Sequence, residues 1–75
     1  MGKLSTVTAK DAVRALKRAG FVEDRQKGSH LVLIHPQTRA RVVIPVDSGR
    51  TIKEPLLRAI VKDAGMTSEE FIDLL

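Results

Sequence analysis

No cysteine, tryptophan or tyrosine occurs among the 75 residues, and Phe21 and Phe71 are the only aromatic rings of that kind. Without cysteine there is no disulfide to staple a small fold, no thiolate to hold zinc and no sulfur nucleophile. That composition suits a reducing compartment, so a cytoplasmic location is expected. The scarcity of rings excludes the exposed aromatic platform on which stacking readers of nucleic acids rely. No stretch of eighteen apolar residues exists, so no membrane span is expected, and no secretory signal is visible. The opening Met1-Gly2-Lys3-Leu4-Ser5-Thr6 fits the loose myristoylation pattern, but a single acyl chain anchors only marginally. Stability therefore has to come from a packed core. With 43% apolar residues that core can be built, although a chain of this length buries only about 60% of its unfolded surface. One domain over 1–75 is expected.

The net charge of +4 is unevenly spread. Residues 1–46 hold nine Lys/Arg against three Asp/Glu, whereas residues 47–75 hold four against six. A basic N-terminal part points to a polyanion as partner.

The apolar spacing gives an order of elements. Ala9, Ala12, Val13, Leu16 and Ala19 recur at helical intervals behind a Thr8/Asp11 cap, and Gly20 closes that helix. Three strands follow: Phe21 to Gln26, Ser29 to His35 and Arg39 to Val46, joined by the short turns Lys27-Gly28 and Pro36-Gln37-Thr38. Short turns make them an antiparallel meander. The third strand alternates, with Val42, Ile44 and Val46 on one face and Arg39, Arg41 and Val43 on the other. A loop over Asp47 to Lys53 leads to a helix starting at Pro55, the position where proline is tolerated, and ending at Gly65. Thr51 and Glu54 imitate a cap, but that start would put Pro55 where an N–H is needed. Thr67 and Glu70 cap a last short helix carrying Phe71 and Leu74. The fold class is therefore α+β: a three-stranded antiparallel sheet in α-βββ-α order with a short C-terminal helix, similar to the double-stranded-RNA-binding fold. Each helix has one apolar stripe, so the helices cover one sheet face and leave the other free.

Few residues can carry chemistry. There is no glycine-rich phosphate loop and no serine in a nucleophile elbow. His30 and His35 have opposite parity on one strand, so a regular strand cannot bring both to one metal, and no metal or other cofactor is expected. What stands out is Arg25-Gln26-Lys27-Gly28-Ser29-His30, a histidine just past a turn with two cations and a glycine. RNA carries its own nucleophile, the 2′-hydroxyl, so cutting it needs a proton carrier and charge stabilisation at the phosphate. Histidine as a residue type titrates near neutral pH and suits the first task. Arg25, Lys27, Arg39 and Arg41 suit the second, and Gly28 with Ser29 lets backbone amides come close. Spacing alone leaves His30 open between this role and that of a strand histidine with a structural hydrogen bond. His35, ahead of Pro36, is expected to have a solvated ring, and Arg14, Lys17 and Arg18 to form a solvated helix face.

The set Gly20-Phe21, Arg25-Gln26-Lys27-Gly28-Ser29-His30, His35-Pro36, Val43-Ile44-Pro45, Leu57-Arg58-x-Ile60-x-Lys62-x-Ala64-Gly65 and Thr67-x-Glu69-Glu70-Phe71 resembles the HicA family of toxins. The resemblance implies the double-stranded-RNA-binding fold and metal-independent cleavage of mRNA that arrests translation. It also implies a histidine at the position of His30 as the catalytic residue, and a HicB-like antitoxin that covers it. Three positions depart from the common pattern: Leu31 in place of a second histidine, Asp47 where a histidine often stands, and Pro55-Leu56 for a Gly-Thr pair. A non-catalytic RNA-binding module on the same fold, and a protein whose apolar surface binds a partner, are the competing functions.

Overall fold

The computed structural model of the chain describes residues 6–46 and 51–75. Asp47 and the myristoylation-like start lie outside the described residues. The first element is β1 (Val7–Thr8), which runs straight into α1 (Ala9–Arg18). Thr8 caps the helix, its Oγ1 accepting the Asp11 amide at 3.1 Å. The far end closes with the Gly20 amide donating to Lys17 O and the Phe21 amide to Leu16 O, each at 3.0 Å, the paired bonds of a Schellman motif. Gly20 sits at φ +107°, and Leu16 and Phe21 are both buried beside it.

The meander follows: β2 (Val22–Lys27), β3 (His30–Ile34) and β4 (Arg41–Pro45), with β3 in the middle. Compared with the sequence reading, β2 is shifted by one residue toward the turn, and β3 and β4 are shorter. Arg39 belongs to the turn, not to the third strand. It adopts φ +68° and its amide donates to His35 O at 2.9 Å, so the chain reaches extended geometry only at Arg41. A register shift between Glu23 and Arg25 interrupts β2, a bulge of the kind that protects an edge strand.

Beyond the third strand, β5 (Thr51–Ile52) pairs antiparallel with β1, Val7 opposite Ile52. This two-stranded ladder crosses the expected loop. Next, α2 (Glu54–Asp63) has Lys53 as its cap residue without a side-chain bond. Pro55 is thus the second helical residue rather than the first, still within the opening turn whose amides need no helical partner. Finally α3 (Ser68–Leu74) carries a complete capping box, Thr67 Oγ1 accepting from the Glu70 amide and Glu70 Oε1 from the Thr67 amide.

Leu31 and Leu33 of β3, with Val42 and Ile44 of β4, face a core completed by Leu16, Phe21, Ile52, Leu57, Ile60, Val61 and Phe71. The helices therefore cover one face of the sheet, the expected layout of the double-stranded-RNA-binding fold. No described helix is long and apolar enough to cross a membrane.

His35 is a correction. Its ring is half-buried, edge-on to Phe21 with centroids 5.2 Å apart. Nδ1 accepts from the Gln37 and Thr38 amides at 3.2 and 3.3 Å, so the ring proton is on Nε2, which donates to Ala19 O at 3.2 Å. This side chain pins the end of α1 to the β3–β4 turn. A Cβ built on Gly20 would stand 2.8 Å from His35 Nε2. Gly20→Ala is expected to lose about 1–3 kcal/mol from the strained φ, plus part of the hydrogen bonding of His35. A lowered urea midpoint with an unchanged slope would report it.

Candidate RNA-cleavage site on the open sheet face

The other face of the sheet is organised by register. Directly opposed residues share a face, which gives three rows across the strands: Lys27, His30 and Pro45 at one end, Arg25, Val32 and Val43 in the middle, and Val22, Ile34 and Arg41 at the other end.

The first row is set by the Gly28-Ser29 turn. Lys27 pairs with His30 across a two-residue connection. Gly28 has φ +61° and Ser29 has no positive φ, which is a type II′ turn with glycine at the position that requires it. Space is not the constraint, because a Cβ on Gly28 would meet nothing within 4 Å. Gln26 Nε2 reaches over the turn to Gly28 O at 3.1 Å.

On the β4 side Pro45 stands opposite His30. Proline has no amide to give a ladder, and the next residue makes the bond: Val46 N–H donates to Ser29 O at 2.7 Å. His30 and Pro45 are thus a non-hydrogen-bonded pair, the kind whose side chains lie closer together. In register, His30 therefore lies between Lys27 and Pro45. Sequence reasoning gave Pro45 no role; its place in the Val43-Ile44-Pro45 triplet was the available signal.

His30 is exposed, and its side chain makes no hydrogen bond to a described residue. Of its two readings, the structural one has no hydrogen bond among the described residues to support it. Arg25 is one row away, with its Nε 3.5 Å from Asp24 Oδ2. Arg41 and Arg39 are not brought to His30. In an antiparallel pair the start of β4 lies beside the end of β3, so Arg41 faces Ile34, roughly 13 Å along the strand from His30 at about 3.3 Å per residue. Arg39 lies in the turn beyond. Among the described residues no three His, Cys, Asp or Glu side chains gather as metal ligands. Arg14, Lys17 and Arg18 of α1 are exposed, as expected; within that solvated face Lys17 Nζ pairs with Glu23 and Arg18 Nη1 donates to Leu74 O at 2.7 Å.

No curated protein matches the chain significantly. One family does, described as "HicA toxin of bacterial toxin-antitoxin", over residues 9–66, the stretch that holds α1, the whole meander and α2. On that match the chain belongs to the HicA toxin family of bacterial toxin–antitoxin systems.

Proposed function

We propose that this protein is an endoribonuclease toxin that cuts mRNA without a metal and so arrests translation, acting as a single domain in the cytoplasm and held in check by a HicB-like antitoxin that covers His30. The observation that carries the reading is the exposed His30 paired in register with Lys27 on the sheet face opposite the helices.

In this reading His30 takes the proton of a ribose 2′-hydroxyl. The 2′-oxygen attacks the adjacent phosphorus, the bond from phosphorus to the 5′-oxygen breaks, and solvent supplies the proton to that leaving oxygen. The products are a 2′,3′-cyclic phosphate and a 5′-hydroxyl end, and the proton on His30 returns to water. Lys27 neutralises charge growing on the phosphate, where electrostatic stabilisation counts most. Arg25 attracts the backbone, and Gly28 and Ser29 offer an open turn against which a phosphate can lie. Among the described residues no side-chain set for reading bases stands near His30, so cutting is expected to depend little on sequence.

The test is incubation of the purified chain with end-labelled mRNA in EDTA. Fragments are expected. RNA that is bound yet stays whole would favour the non-catalytic module instead. Replacing Lys27 by Ala is expected to slow cleavage by about tenfold or more, in line with loss of one donor to a transition-state oxyanion, and to flatten the salt dependence of binding by about 0.7 in the log–log slope. An unchanged slope would remove Lys27 from the site.

A further inference from the structure

We infer that the whole outer face of the sheet is a track for single-stranded RNA, leading from the Lys27–His30 pair over Val32, Val43 and Ile34 to a second phosphate-binding position at Arg41. This rests on the proposed nuclease reading and extends it by naming the form of RNA and a distal contact.

The middle and far rows supply the floor. Val32 is flanked in register by Arg25 and Val43, and Ile34 by Val22 and Arg41. Val22 and Val43 are 50% and 42% exposed and Ile34 is half-buried, so these three aliphatic side chains, set around the buried Val32, offer apolar contact between cationic ends. Among the described residues no carboxylate pairs with Arg41, whereas Arg25 has Asp24 beside it.

Such a floor gains contact from ribose and base faces, and base faces are free only where RNA is unpaired. A duplex would present phosphates to the cations and nothing to the valines. Cations at both ends complement a polyanion. The guanidinium of Arg41 matches a phosphate with paired donors and can also stack on a base. The roughly 13 Å between the two ends is a strand distance, so a dinucleotide held at His30 does not reach Arg41 and a longer strand does.

The test uses the full chain and a 2′-O-methyl octanucleotide, which cannot be cut. Amide resonances of Ile34, Arg41 and Val43 are expected to shift together with those of Lys27 and His30. Arg41→Ala is expected to lower the salt slope of octanucleotide binding by about 0.7, the single-strand value for one phosphate contact, and to leave dinucleotide binding unchanged. Val43→Asp, at an exposed position that does not endanger the fold, is expected to weaken the octanucleotide several-fold. Shifts confined to residues 27–30, an unchanged slope for Arg41→Ala, or a duplex that binds as tightly as the single strand through another face would each overturn the track. Failure of the nuclease reading shows separately, as an unmodified octanucleotide that the parent chain binds but does not cut.

Discussion

Phe71→Ala is expected to lower stability by about 3–5 kcal/mol, the usual loss when a buried phenylalanine is truncated. A domain of this length has roughly 4–11 kcal/mol to lose, so the variant should give up between about a quarter and all of its stability. The position is informative because α3 lies beyond residues 9–66, which carry the family match. Phe71 is nonetheless fully buried in the same core as Leu16, Leu33 and Ile44. A short helix contributes little stability by itself. Its attachment comes from Phe71, from the Thr67–Glu70 capping box and from Arg18, which donates to the last carbonyls of α3. Urea unfolding followed by circular dichroism measures the change. A loss under about 1 kcal/mol would mean that α3 is an appendage and that residues up to 66 hold the fold alone.

The second large effect is the reverse in kind. His30→Ala is expected to change stability by no more than about 0.5 kcal/mol, as for an exposed residue with no side-chain bond among the described residues. Cleavage should fall by about 10²–10⁴-fold, the range for removing a positioned acid–base group. In a growing culture the parent chain should arrest growth on induction and the variant should not. The side chain at His35 cannot take over. It stands past the opposite end of β3, and both its ring nitrogens are engaged with backbone. Residual cutting within a few-fold of the parent would move the proton transfer elsewhere. A variant that fails to fold would contradict the exposed placement of His30.

Elements with local signals were legible in the sequence. Thr8 with Asp11 and Thr67 with Glu70 mark helix starts through side-chain bonds that span three residues, and the alternation in Arg41 to Ile44 fixes which side chains of β4 face the core. The β1–β5 ladder was not legible, because two residues carry no period and their pairing joins distant segments. Pro55 was misplaced by one residue, since proline fits more than one position of a first turn. Within the site, the sequence put Lys27 in the turn with Gly28, whereas the turn is Gly28-Ser29 and Lys27 ends β2 opposite His30; glycine marks a turn without fixing which neighbour shares it. Arg39 and Arg41 are close to the Val43-Ile44-Pro45 stretch in sequence, yet antiparallel pairing sends them to the far end of the face. His35 was read as solvated from its neighbour Pro36. The Phe21 ring and the Ala19 carbonyl that hold it are contacts between separate elements, which no local pattern announces.

The most direct test of the central claim is a substrate change. A labelled RNA is compared with the same strand carrying a single 2′-deoxynucleotide at the cut position, both with the parent chain in EDTA. If His30 activates the 2′-hydroxyl, the all-ribose strand is cut to a 5′-hydroxyl fragment and the deoxy strand stays whole at that position. Equal cutting of both strands, or cutting of either only when a divalent metal is restored, would contradict a metal-independent nuclease centred on His30.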